Sequence, residues 1–157
     1  MIYQTCRHGN RHSVAFCFHR RITRLSSVAI ASICHAGVRA WLREFEIRGL
    51  DDHACALRAI RAVVVDAAAG ATGEAPPLER CLIYTSSRAV ADGFNEQLPN
   101  WVRRNWKTAS GTPVVHADDY RLIHERLRAL GASVVFAKHH ETWPEYQDLL
   151  SRVPVVA

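Results

Sequence analysis

Residues 81–88 read Cys81-Leu82-Ile83-Tyr84-Thr85-Ser86-Ser87-Arg88, and their reading decides the fold. Cys81 to Thr85 has the length and composition of a compact buried strand. Two serines follow at once. Either hydroxyl can accept a hydrogen bond from a free backbone N–H, so the chain passes directly from strand into a helix that runs to about Leu98. A strand that feeds a helix belongs to a sheet built with crossovers.

Working outward, Pro99 opens a next short helix with Trp101 and Trp106, and Ser110-Gly111-Thr112-Pro113 is a turn. Ala117 to Leu130 is helical, with Ile123, Leu127 and Leu130 on one face, and Gly131 stops it. Ser133 to Ala137 is a fifth strand, and Pro144 opens a last helix to about Arg152. Toward the N-terminus, Gly70 to Pro77 is a loop. Asp52 to about Ala69 places Leu57, Ile60 and Val64 at helical spacing, with Asp51 or Asp52 as cap. Three strand-length runs precede it: Ser13 to His19, Ser27 to Cys34, and Val38 to Ile47, the last alternating with one slip between turns at Gly37 and Gly49. The order is β-β-β-α-β-α-α-α-β-α. It predicts an α/β fold with a mixed five-stranded sheet, three antiparallel strands then two parallel ones, flanked by helices. Residues 1–12 read as an N-terminal extension that Met1 starts naturally, and 13–157 as a single domain.

The chain has 157 residues, 48% hydrophobic and 22% charged, the composition of a globular domain with a sizeable core. No window approaches the roughly 18 consecutive apolar residues of a membrane span. Net charge is +5, and only Lys107 and Lys138 among the basic residues are lysines. Arginine meets phosphate with a flat fork, which fits a polyanion partner; GC-rich coding inflates arginine too, and composition does not separate the two. Five cysteines, an odd number with no C-x-x-C pair, argue against a zinc site or disulfide framework and for a reducing intracellular compartment, cytoplasm or nucleus. Residues 1–43 hold seven arginines and no acid, which superficially suits a mitochondrial leader, but the strand patterns inside that stretch oppose it.

Three strings resemble type 1 ribonuclease H. Ile83-Tyr84-Thr85-Ser86-Ser87-Arg88 looks like the family's Y-T-D-S junction. Asn100 to Thr108 (N-W-V-R-R-N-W-K-T), with Gly111 and Pro113, is similar to its basic protrusion, W-x-x-N-G-W-K-T-x-x-G-x-P-V. Ala137-Lys138-His139-His140 resembles the V-x-G-H after its last strand. The resemblance spans roughly residues 13–152, although the N-terminal third matches only in spacing and order. It implies the ribonuclease H-like sheet and a chemistry in which two divalent ions hydrolyse the RNA strand of an RNA–DNA hybrid.

The same resemblance implies that the four metal-binding carboxylates are missing. The family's positions fall on Phe18, Cys55, Ser86 and Leu150. The first of these holds whatever the register, because Glu44 is the earliest acid in the chain. Asp148 lies two residues from Leu150, about 200° around a helix. Neutral groups do not hold two hard dications, and a thiolate prefers softer metals. The implied domain is catalytically inactive, with no cofactor and no metal. Phe18 and Leu150 would plug the former cleft or form an apolar patch for a protein partner or larger assembly. The alternative is a module binding RNA–DNA hybrid or double-stranded RNA. It would use Trp101, Arg103, Arg104 and Lys107 of the protrusion, His116 at the phosphate-pocket Asn, and Arg20, Arg21 and Arg24 in the first turn. A third reading, an active nuclease with relocated ligands, would recruit Asp51, Asp52, Asp92 and Asp148. No small-molecule or membrane partner is expected. His139 and His140, beside Glu141 and Glu145, read as a solvated loop remnant, and Trp106 as a core anchor.

Overall fold

A computed structural model describes residues 13–70 and 76–152. The proposed extension 1–12, with Cys6, lies outside the described residues. Five strands form one sheet: β1 (Val14–Arg21), β2 (Ser26–His35), β3 (Val38–Arg48), β4 (Leu82–Thr85) and β5 (Ser133–Phe136), in the spatial order β3-β2-β1-β4-β5. β1, β2 and β3 pair antiparallel, and β4 pairs parallel with both β1 and β5. This is the mixed sheet that the element order predicts. The helices are α1 (Asp52–Arg61), α2 (Arg88–Asp92), α3 (Leu98–Arg103), α4 (Ala117–Leu130) and α5 (Pro144–Arg152).

Alternation along β1 divides the molecule into three layers. Ala15 and Cys17 face a core shared with Ala29, Ala31, Ile33, Leu57, Ile60, Val64, Val90 and Ile123, which lies under α1, α2 and α4. Val14, Phe16 and Phe18 face the opposite side, where they meet Val28, Ile30, Tyr84 and Leu149 under α5. β2 is buried from Ser27 through Cys34 because it is covered on both faces. Small residues set the spacing on the α1 side: Ala29 and Ala31 in β2, and Ala54, Ala56 and Ala59 in α1, are all buried. The Cys17 thiol donates to the Ala59 carbonyl at 3.5 Å, a distance that only small neighbours permit.

Several boundaries depart from the sequence reading. β1 continues two residues past His19, so Arg20 and Arg21 belong to a strand end rather than to the turn. The slip in β3 is a bulge: Ile33 pairs with Trp41 and Cys34 with Arg39, leaving Ala40 as the extra residue. α1 gives way to a π-helical segment over Ala62–Ala67, and a second one, Gly93–Gln97, joins α2 to α3. The two helices expected before the protrusion are thus one run from Arg88 to Arg103. Ser87 caps it, accepting from Val90 N at 3.2 Å. Gly131 ends α4 in the left-handed region (φ 63°), where a residue without Cβ is unstrained.

Asp51 Oδ1 accepts from Ala54 N at 2.7 Å and caps α1, whose first turns carry the candidate site. Replacing Asp51 with Ala is expected to cost about 1 kcal/mol in urea unfolding, whereas Asp51→Asn, which keeps a capping oxygen, costs a few tenths at most.

Candidate functional site

The parallel β1/β4 register ends at the pair Cys17 and Thr85, so Phe18 and Ser86 are the next residues at the ends of the two strands. Phe18 is fully buried. Its ring meets Tyr146 at 5.7 Å, Phe16 and His140 at 6.2 Å, and Trp143 at 6.3 Å between centroids. Trp143 also stands edge-on to Tyr84 at 4.9 Å. An aromatic cluster therefore fills the space between the end of β1 and the start of α5. Leu149, not Leu150, completes it: Leu149 is fully buried, while Leu150 is half-buried and outside both core clusters. One step along a helix turns a side chain by about 100°, which decides which leucine faces inward. His140 is not a solvated remnant either, because it stacks on Phe18 and stands against Tyr146 at 4.8 Å. Glu145, in the first turn of α5, is buried.

Cys55 is buried in α1, 3.8 Å from the Leu50 carbonyl, and burial pushes its thiol pKa up, away from thiolate. Ser86 is half-buried where β4 ends. None of the four positions offers an anionic oxygen. The four acids of the relocated-ligand reading are engaged elsewhere. Asp51 caps α1. Asp52 pairs with Arg21 at 3.1 Å and His19 at 3.8 Å. Asp92 lies 3.9 Å from Arg88 on the same helix. Asp148 pairs at 2.8 Å with Arg39, tying α5 to β3. Among the described residues no three His, Cys, Asp or Glu side chains gather as a metal site would need. The residues present do not fit a pair of hard divalent cations.

The basic groups divide in two. Arg21 is occupied: besides Asp52 it donates to the carbonyls of Arg24 at 3.2 Å and Leu50 at 3.3 Å. Arg103 donates to Asn100 Oδ1. Arg20, Arg24, Arg104 and Lys107 are exposed. The protrusion itself is closed by an antiparallel bridge between Lys107 and Pro113 and by Val114 N donating to Trp106 O at 3.1 Å. Both indoles are half-buried, and Trp101 keeps a face on an open cavity beside the start of α1. Trp101 stands edge-on to Tyr120 at 5.0 Å, and Trp106 packs on the core beneath the Arg121 guanidinium at 5.1 Å, as an anchor would.

The sequence reading missed a second cluster. Between the start of α1 and the start of α4, the His53 and His116 rings stack at 5.4 Å and 17°. His53 Nε2 lies 2.6 Å from Tyr120 Oη. Tyr120 is buried against Gly93, where an added Cβ would fall 2.5 Å from the phenol oxygen, and burial raises its pKa. His116 Nε2 is 3.6 Å from Asp51 Oδ2. His116 itself adopts the left-handed region (φ 61°). The backbone N–H of Ala54 holds the Asp51 carboxyl below its usual range, with smaller help from His116. The isolated glycine at 93 inside a helical pattern was the one sequence signal of a close approach.

His19 and His53 are both held below the ordinary imidazole range, chiefly by burial; Asp52 opposes the shift at His19, and His116 adds to it at His53. The unfolded chain then binds protons more readily than the folded one. Stability is full above about pH 6.5, the unperturbed imidazole value, and declines as pH falls below it. A urea series from pH 7.5 to 5.5 is expected to show a falling midpoint, with a shallower fall in His53→Gln. Gly93→Ala is expected to cost roughly 1–3 kcal/mol at any pH through the clash with Tyr120.

No family model matches the chain. It is 33% identical over 78 residues to ribonuclease H of Xanthomonas euvesicatoria pv. vesicatoria (strain 85-10), a match covering 48% of this chain and 52% of the relative. It is 37% identical over 76 residues to ribonuclease H of Stutzerimonas stutzeri (strain A1501), covering 47% and 50%. The matches span about half the length of these curated relatives. Among solved structures, a foamy viral protease–reverse transcriptase in complex with dsDNA superposes with TM-score 0.68 at 17% identity over 88% of each chain. The prototype foamy virus RNase H domain gives 0.67 at 15% identity, covering 85% of this chain and 83% of that one. The same viral enzyme with an RNA/DNA hybrid gives 0.58, covering 18% of that chain. The fold is ribonuclease H-like.

Proposed function

We propose that this chain is a catalytically inactive ribonuclease H-like domain that serves as an interaction or scaffold subunit of a larger assembly. One observation carries the reading: Phe18 stands fully buried among Phe16, Trp143 and Tyr146 at the strand end where the resemblance calls for a metal-binding carboxylate. Hydrolysis assisted by two metals needs anionic oxygens to hold the ions and activate water. Phe18, Cys55 and Ser86 supply none, and Asp51, Asp52, Asp92 and Asp148 are engaged with cations or a helix end. A domain built this way acts through its surface, in a reducing intracellular compartment.

A second reading is favoured by the exposed Arg104 and Lys107 on the protrusion. Together with Arg103 and the strand-end Arg20 and Arg24, they suit the phosphates of an RNA–DNA hybrid or double-stranded RNA. Such contact would be chiefly electrostatic and steeply salt-dependent.

Incubation with a labelled hybrid in Mg²⁺ or Mn²⁺ is expected to give no cleavage, and Mg²⁺ is expected to leave the thermal midpoint unchanged. Turnover abolished by mutating Asp51, Asp52, Asp92 or Asp148 would overturn the inactive reading. Phe18→Ala is expected to cost about 3–5 kcal/mol, as deletion of a buried ring does. In gel shifts at low salt, the nucleic-acid reading requires Arg103→Glu/Arg104→Glu to weaken hybrid binding and flatten its salt dependence. Absence of any shift in the unaltered chain eliminates it.

A further inference from the structure

We propose that the cavity between the start of α1 and the loop before α4 binds a nucleobase, reading an edge on which a hydrogen-bond donor stands beside an acceptor. The cavity is about 370 Å³, within the range of small-ligand clefts. Flat and apolar surfaces line it: the Trp101 indole, the His53 ring stacked on His116, Val114, and Val115, which is 72% exposed at the mouth. Such walls take a planar ring by stacking and by removing its faces from water.

The polar groups narrow the choice. His53 and Tyr120 satisfy one another at 2.6 Å and form wall rather than reading head. Asp51 spends Oδ1 on the α1 cap and leaves Oδ2 toward the cavity. His116 Nε2 is buried and finds no hydrogen-bond partner among the described residues; its 3.6 Å approach to Asp51 Oδ2 is an ion-pair distance, not a hydrogen bond. A buried polar atom left in this way costs stability unless something meets it. The cavity therefore offers an acceptor, Asp51 Oδ2, next to an imidazole nitrogen. Adenine, cytosine and guanine each carry an N–H beside a ring nitrogen or carbonyl oxygen, the complementary pair, as uracil does at N3.

A phosphate does not fit as well. No lysine or arginine lines the cavity, and the Asp51 carboxylate, which favours its charged form, would repel an anion. This departs from the sequence expectation of no small-molecule partner and from the phosphate role that the resemblance gave His116. It stands whether or not the domain cleaves nucleic acid.

Calorimetry and tryptophan fluorescence on the full 157-residue chain decide it, with adenosine, cytidine, guanosine and uridine as probes. Ribose, inorganic phosphate and the same nucleosides methylated on the reading edge are the controls. At least one nucleoside is expected to bind, about tenfold more tightly than its edge-methylated counterpart. His116→Asn, which tolerates the left-handed backbone, and Asp51→Ser, which keeps a capping hydroxyl but loses the second oxygen, are each expected to weaken binding about tenfold. Should a variant fail to fold, the comparison with the methylated nucleosides decides. No binding by any nucleoside, equal binding of methylated and plain bases, competition by inorganic phosphate, or unchanged affinity in both folded variants would each overturn the proposal.

Discussion

The burial of Phe18 is the constraint on which this end of the sheet depends. A strand end under a helix excludes water, and an isolated carboxylate there would lose its hydration without gaining a partner. A phenyl ring has the opposite preference. Its contacts with Phe16, Trp143 and Tyr146 are each of the kind worth roughly 0.5–1.5 kcal/mol beyond area burial. The residue in β1 and the aromatic face of α5 are matched, and neither makes sense without the other. Trp143 precedes α5 and Tyr146 lies in its first turn, so the same cluster that fills the strand end also fixes where that helix begins. Arg39 and Asp148 add a largely buried ion pair at the other end of the contact, holding α5 across the sheet to β3. Breaking one half of such a pair is far more costly than never having had it.

The two faces of the sheet solve different problems. Under α1 the residues are small, which lets the helix lie close enough for Cys17 to reach a helix carbonyl. Under α5 they are large, and the gap is filled by rings. The asymmetry has a consequence for the thiols. The four described cysteines are all buried, and burial drives Cys17, Cys55 and Cys81 toward the protonated form, Cys81 to about 12. They behave as small apolar side chains and not as nucleophiles.

Element order, the mixed sheet and the limits of α4 and α5 were legible in the sequence because each rests on local signals: strand-length runs, a serine or aspartate before a helix, a glycine after one. The π-helical segments were not, since their hydrophobic spacing is nearly that of an α-helix; what betrays one of them is tertiary, the need to bring Gly93 against Tyr120. That β1 carries no acid was legible with no structure at all, because none precedes Glu44. Which leucine closes the cluster was not, because Leu149 and Leu150 differ only by a helical rotation that depends on where α5 starts. The His53–His116–Tyr120 group was invisible for the same reason that a catalytic group often is: its members are far apart in the chain, and each alone reads as an ordinary core or surface residue.

The arginines need a finer distinction than occupied or unoccupied. Arg21 holds Asp52 at 3.1 Å, but both side chains are substantially exposed. Exposed pairs contribute about 0–1 kcal/mol, and salt screens them further. A phosphate arriving at this strand end would compete with Asp52 on nearly even terms, so Arg21 remains available to a polyanion although it is paired in the isolated chain. Arg39 is different. Its partner Asp148 is only 16% exposed, and drawing the guanidinium away would strand a carboxylate at the base of α5. The surface that can answer a negatively charged partner is therefore set by the burial of each arginine's acid, not by the count of arginines. By that measure Arg43, Arg48 and Arg88, whose acids are also well exposed, are held as loosely as Arg21, and Arg39 is not.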